Sequence, residues 1–266
     1  MIGVFDSGSG GLSVLKEIVR LLPDETYVYF ADNAFCPYGE KTVAAIQARA
    51  HAITDRLLAE GAKIIVVACN TATAAAIADL RASYPDIPFI GMEPAVKPAA
   101  IGTRTGVIGV LATAGTLKGS KYLNTKGRFE DDVKIVEHVG EGFVELVEAG
   151  DLDSPKAEVV VRESVTPLLA ECADTIVLGC THYPFLAPVI QRVAGNDVTL
   201  IDPAPAVARQ TVKVMQQKGL LPAQLPASDG SLPRHPSVKL LSSGNPKMLR
   251  RLYSIIFPEY CHPAER

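Results

Sequence analysis

The sequence predicts an α/β fold made of two pseudo-symmetric α/β lobes with mainly parallel sheets and a cleft between them. Three observations lead there. Short apolar, β-rich runs alternate with amphipathic helical patterns along the whole chain. The same succession of strand-like runs occurs twice. At equivalent points of the repeat, one run ends in "VVACNTAT" and the other in "VLGCTHYP".

The elements follow in order. "IGVFDS" reads as a strand that opens through a glycine-rich turn into "GLSVLKEIVRLLP", where Leu12, Leu15, Ile18, Val19 and Leu22 share one helical face and a proline ends the pattern. "TYVYFAD" is the second strand. It leads into "NAFCPYGEKT", a turn in which Pro37 fixes the backbone and Gly39 permits an exposed N–H. The next helix carries Ile46, Ala50, Ile53 and Leu57 on its apolar face and stops at Gly61. "IIVVACNT" and "IPFIGMEP" are the third and fourth strands. Their counterparts later in the chain are "TGVIGVLAT", "VKIVEHV", "IVLGCTHY" and "VTLIDPAP", in the same order. Ser154 and Pro155 read as a cap and first residue of a helix running towards Ala170, disturbed at Pro167 and expected to include Cys172 in its helical region. The repeat divides the chain into a first lobe, residues 1–93, and a second, residues 94–206. The segment 207–266 is expected to pack back on the first lobe, with a Pro- and Ser-rich surface excursion around 220–237.

Composition excludes several classes of function. The chain has 266 residues, 48% of them hydrophobic, enough for a large core or two modest ones. Its apolar runs are broken well before membrane-spanning length, and the N-terminus enters a strand without a basic, then apolar, leader. Five cysteines, with no CxxC pair, fit free thiols in a reducing cytoplasm. The net charge of −3 is dispersed, without the basic patch a nucleic-acid site requires.

Ligands of parallel α/β sheets bind beyond the carboxyl ends of the strands, where Cys69 and Cys180 both lie. Two thiols approaching one cleft from opposite sides suit proton removal from one face of a tetrahedral carbon and delivery to the other. Buried cysteine usually packs as a small hydrophobe, which is the reading kept for Cys172 and Cys261. A cysteine-nucleophile hydrolase would leave the second thiol unexplained. A zinc site drawing on Cys69, Cys180, His182 and Cys36 is a further alternative, but the usual close ligand pairs are missing from the sequence and no metal is assigned. "FDSGSGG" departs from the dinucleotide fingerprint, since Asp6 would face a pyrophosphate and Ser13 replaces the third glycine. It suits an amino acid better, with Asp6 taking the ammonium group and Ser7 and backbone N–H groups the carboxylate. A plain capped turn explains it equally well. Tyr38 either covers a ligand or packs.

Together "FDSGSGGLSVL", "PYGEKT", "ACNTATA" and "VLGCTHYP" resemble the glutamate racemases, cofactor-independent enzymes that supply D-glutamate for bacterial peptidoglycan; the resemblance covers nearly the whole chain. It implies an interlobe active site, no cofactor, L- and D-glutamate as small-molecule substrates, and the option of a homodimer, with no nucleic-acid or membrane partner. It implies Cys69 and Cys180 as catalytic thiols. By motif, Asp6, Ser7, Tyr38, Gly39, Asn70, Thr71, Thr181 and His182 would contact substrate or assist the thiols. An auxiliary glutamate is expected in "EGFVELVEAG", where the match suggests Glu148 and leaves Glu145, one turn away, open. Aspartate racemases share the two-cysteine logic, and a two-lobed amino-acid-binding module is the alternative outside enzymes.

Overall fold

A computed structural model describes residues 1–221 and 236–258; Cys261 and most of the Pro- and Ser-rich stretch lie outside the described residues. In chain order the elements are β1 (Ile2–Asp6), α1 (Leu12–Leu21), β2 (Thr26–Ala31), α2 (Val43–Ala59), β3 (Ile64–Val67), α3 (Asn70–Ser83), β4 (Phe89–Ile90) and α4 (Val96–Gly102). There follow β5 (Val107–Ala112), α5 (Ala114–Leu117), α6 (Ser120–Lys126), β6 (Lys134–Val139), α7 (Phe143–Ala149), α8 (Pro155–Ala170), β7 (Thr175–Gly179), α9 (Ala187–Ala194), β8 (Thr199–Ile201), α10 (Ala204–Gln217), β9 (Ser237–Ser242) and α11 (Lys247–Ile256).

Among the described residues these strands form two sheets, ordered β4-β3-β1-β2-β9 and β6-β5-β7-β8, with every pairing parallel. The shared order is the physical form of the sequence repeat: β1, β2, β3 and β4 occupy the places that β5, β6, β7 and β8 occupy in the second sheet. Every residue of β1, β3 and β7 is buried, as strands covered on both faces require. Register then decides what lies at the carboxyl edge. Asp6 stands opposite Ala31, Phe5 opposite Val67, and Ala112 opposite Gly179. Asp6, Asp32 and Cys69 therefore leave the first sheet on one side, and Thr113 and Cys180 leave the second at the matching side.

Local chemistry sets the helix ends. The Thr42 hydroxyl caps α2 by accepting the Ala45 N–H at 3.2 Å, and the helix is followed by Gly61 at φ +93°. Ser154 caps α8 in the same way, and Pro155 supplies its first turn. This helix continues through Pro167 as one element. Cys172 departs from expectation: it sits beyond α8 at φ +62°, exposed, because the chain must reverse there to enter β7.

One apolar cluster joins the lobes, running from Val4, Leu15 and Tyr29 to Leu111, Phe143, Leu178 and Tyr183. Phe143 meets Tyr183 edge to face with ring centroids 4.9 Å apart. Each such buried side chain contributes about 1.5–3 kcal/mol. Smaller clusters fill the space under α2 and α3 on the first sheet and under α4 and α6 on the second. α10 and α11 lie against α1, and β9 extends the first sheet beyond β2. Among the described residues no helix is long and apolar enough to cross a membrane.

Candidate active site

Cys69 is the N-cap of α3. Its sulfur accepts the Ala72 N–H at 3.4 Å, and its thiol points to the Ser7 hydroxyl at 3.7 Å. A helix N-terminus by itself lowers a thiol pKa. Burial reverses it: desolvation, and then the Asp6 carboxylate, push the Cys69 thiol well above its ordinary value, and the bonds from Ala72 and Ser7 offset this only in part. The neighbouring Cys180 adds to the same effect.

Polar contacts run from each thiol: Cys69 to Ser7, and Cys180 through His182 and Thr181 to Asp6. Asp6, covalently next to Ser7, is fully buried; its Oδ2 accepts the N–H groups of Gly8 (3.2 Å) and Gly11 (3.0 Å). Its Oδ1 accepts the Thr181 hydroxyl at 3.3 Å. Thr181 Oγ1 lies 3.4 Å from His182 Nδ1, which is itself 3.8 Å from the Cys180 sulfur. Burial raises the Asp6 pKa, and nearby His182 opposes the rise. The N–H groups expected to hold a carboxylate are thus engaged elsewhere: Gly8 and Gly11 cap Asp6, and Ser9 N–H donates to Glu148 at 2.6 Å. The loop folds on its own carboxylate because a buried, uncompensated charge is costly. Glycine at position 10 is a steric requirement, since a Cβ there would sit 2.3 Å from His182 Nδ1.

His182 is 1% exposed, and its Nε2 lies 2.8 Å from Glu148 Oε1 within the second lobe; Glu148 carries the contact to the first lobe through Ser9. Glu148 also accepts Asn33 Nδ2 at 3.0 Å. Glu145 instead borders a cavity of about 410 Å³ with Gly39, Thr113, Gly140 and Tyr183. A second cavity of about 470 Å³ includes Gly39, Thr71 and Lys118, so the two share the Gly39 turn; neither has Cys69 or Cys180 in its lining. Thr71 Oγ1 lies 2.8 Å from Thr113 Oγ1 and 3.3 Å from Thr116 Oγ1, a second bridge between lobes. Asn70, at 3% exposure, has neither amide atom partnered.

The Tyr38 side chain is buried, at 2% exposure. Its hydroxyl donates to Asp32 at 2.5 Å, and Arg49 grips the same carboxylate through two bonds of 2.9 and 2.7 Å while stacking 4.0 Å from the Phe35 ring. Asp32 is fully buried. Arg49→Met is expected to lower stability by about 3–5 kcal/mol, because it leaves that carboxylate without its counter-charge. Urea unfolding measures it; a loss under about 1 kcal/mol would mean that the Tyr38 bond suffices.

Sequence reasoning missed Ser9, Asn33, Thr113 and Thr116. Each is an ordinary polar residue whose partner lies on the other lobe, so no local pattern marks it. Only the equivalence of β1 and β5, which aligns Thr113 with Ser7 at the strand ends, could have drawn attention to one of them.

Two matched parallel lobes, each presenting a thiol just past the carboxyl end of its equivalent strand, define the class of two-lobed racemases. Residues 2–211 match the Asp/Glu/Hydantoin racemase family, and the chain belongs to it. The glutamate racemase of Ectopseudomonas mendocina (strain ymp) is 53% identical over 223 residues, covering 84% of this chain and 85% of that one. That of Stutzerimonas stutzeri (strain A1501) is 46% identical over 258 residues, 97% and 94% of the two chains. Among solved structures, a glutamate racemase isoform from Bacillus anthracis aligns with a TM-score of 0.83 at 34% identity, covering 97% of this chain and 94% of that one. Escherichia coli glutamate racemase, in complex with L-glutamate and the activator UDP-MurNAc-ala, aligns at 0.80 and 33%, with the same coverage.

Proposed function

We infer that the chain is a cofactor-independent glutamate racemase, an isomerase that moves a proton at Cα between two thiols and supplies D-glutamate for peptidoglycan. The observation that carries this reading is the matched placement of Cys69 and Cys180 past the carboxyl ends of the equivalent strands β3 and β7, with Thr181 of the second lobe donating to Asp6 of the first. Relatives at 46–53% identity are glutamate racemases, and solved relatives hold D-glutamate (Francisella tularensis) or L-glutamate (Escherichia coli).

In this mechanism the substrate enters as the lobes part at the Gly39 turn and closes the site behind it. Asn70, which lacks a partner for both amide atoms, takes the α-carboxylate together with the Ser7, Thr71 and Thr181 hydroxyls. Tyr38 and Gly39 contribute backbone N–H groups to the distal carboxylate. One thiolate removes the Cα proton as the thiol opposite delivers its own, and the roles exchange with direction. Asp6, whose charge bears on the Cys69 thiol, exchanges a proton with it. His182, held by Glu148, does so with Cys180. The carbanion is stabilised by these donors and by exclusion of water, with the substrate ammonium near Cα. Burial that raises the Cys69 pKa helps here, because a desolvated thiolate is a stronger base towards a weak carbon acid.

The division into residues 1–93 with 207–266, and 94–206, belongs to the same reading; β9 in the first sheet and α10 on α1 support it. So does a cytosolic setting, suited to free thiols at Cys36, Cys69, Cys172 and Cys180, with a homodimer as its quaternary option. The test is polarimetric: purified protein should racemise L-glutamate and D-glutamate without added pyridoxal phosphate or metal. Turnover of aspartate in preference to glutamate would reassign the substrate, and ligand binding without turnover would favour a binding module.

A further inference from the structure

We propose that Cys36, Glu148 and His182 form a site for a thiophilic divalent cation, with zinc as the type ligand, and that filling it arrests the enzyme. The ligating atoms of these three side chains all lie within 4.8 Å of one another. They come from three separate segments: the turn after β2, α7, and the loop after β7. That is why the sequence shows no close ligand pair. A thiol, an imidazole and a carboxylate are the donor types zinc accepts, and three protein ligands leave a fourth position for water. To share an ion the Cys36 sulfur must close in from its position within 4.8 Å of the other two donors. Glu148 and His182 are already in contact at 2.8 Å, and must separate by a few tenths of an ångström to share an ion rather than a proton.

The surroundings are built for such a centre. Ser9 and Asn33 donate to Glu148 and fix its orientation as outer partners do in metal sites. Gly8 lets the backbone lie against both other groups: a Cβ there would come within 2.3 Å of Glu148 Oε1 and 3.1 Å of the Cys36 sulfur. Cys36 is partly exposed, which gives the ion a way in. Binding replaces the thiol proton and the proton shared by His182 and Glu148, both released to water. No oxidation is involved. Cys36 takes no part in the proposed racemisation, so the site adds control without adding chemistry. The arrest rests on the reading of Glu148 and His182 given above; the binding does not.

The experiment uses the full chain and zinc chloride or cobalt chloride as probes. A competing chromophoric chelator should report one zinc per chain, and cobalt should give a thiolate-to-metal absorption band in the near ultraviolet. In Cys36→Ala, zinc affinity should fall by about 10–100-fold or more, the cobalt band should vanish, and inhibition by zinc should weaken in proportion. Basal turnover should not change, and Cys36→Val serves if the alanine variant folds poorly. In Cys69→Ser the cobalt band should persist. Zinc binding that is undiminished in both Cys36 variants, or a band lost only with Cys69 or Cys180, overturns the proposal by moving the metal to the other thiols. A protein that binds zinc through Cys36 yet does not racemise glutamate would sink the functional reading and leave the site standing.

Discussion

Cys69→Ser and Cys180→Ser should each reduce racemisation by about 10²–10⁴-fold, the span that loss of a positioned acid or base produces. Serine keeps the shape and a proton but is far too weak an acid to leave a useful base behind. The two enantiomers have equal free energy, so kcat/KM must fall equally for L- and D-glutamate in each variant. The separate kcat and KM values need not, because in the proposed mechanism each cysteine serves one hand of the substrate. Isotope labelling adds a check that does not depend on a variant's folding. In deuterated water, early product from the parent enzyme should carry deuterium at Cα while recovered substrate keeps its hydrogen. The proton delivered comes from the far thiol, already exchanged with solvent, and not from the one just taken up. Cys172→Ser should behave like the parent, since that residue lies exposed beyond α8. Full activity in both single variants, or equal early labelling of substrate and product, would end the two-thiol mechanism.

The parts of this molecule that were legible in the sequence are those whose physics is local or repeated. Apolar strand runs, the capped start of α8 at Ser154 and the glycine after α2 depend on neighbours in the chain. The pseudo-symmetry was legible because each lobe repeats the same strand order, β2-β1-β3-β4 and β6-β5-β7-β8, so strand-end residues could be paired before any coordinates. Electrostatics was not legible. Helix position alone predicts a lowered Cys69 pKa, but the depth of burial beside Asp6 depends on how two distant segments close over one another. Nor could the sequence assign the donors of the glycine-rich loop. Whether the Gly8 and Gly11 N–H groups face a ligand or Asp6 is settled by the turn's path. The same holds for Glu148 and Glu145, one helical turn apart and chemically identical. Only the approach of α7 to His182 distinguishes them.

That distinction leads to a further large effect. Glu148→Gln should lower racemisation near pH 8 by about 10²-fold and move the alkaline limb of the pH–rate profile to lower pH by about 1–3 units. Burial by itself would raise the Glu148 pKa, but the bond and charge of His182 and the Ser9 donors outweigh it, and the carboxyl sits below its usual range. Burial by itself would lower the His182 pKa; the bonds to Cys180 and Glu148 outweigh it, and the imidazole sits well above its usual 6.5. The signs follow. A carboxyl with a depressed pKa contributes stability above its unfolded value of 4.5, lost as pH falls through the folded value. An imidazole with a raised pKa contributes below 6.5, lost as pH rises through its folded value. The pair is therefore fully effective between those two unfolded values; on the alkaline side its contribution fades as pH rises from 6.5 and is spent by the raised pKa of His182. Glutamine preserves the acceptor for Ser9 but removes the charge, so desolvation of His182 is less opposed and the ring gives up its proton at lower pH. Above that pH the proposed proton donor to Cys180 is gone. Glu145→Gln, bordering the cavity and not His182, should leave the limb where it is. An NMR titration of the imidazole would separate charge from shape: a His182 pKa unmoved by Glu148→Gln would make the glutamate a packing residue. A limb that shifts with Glu145→Gln instead would give the assisting role to its neighbour.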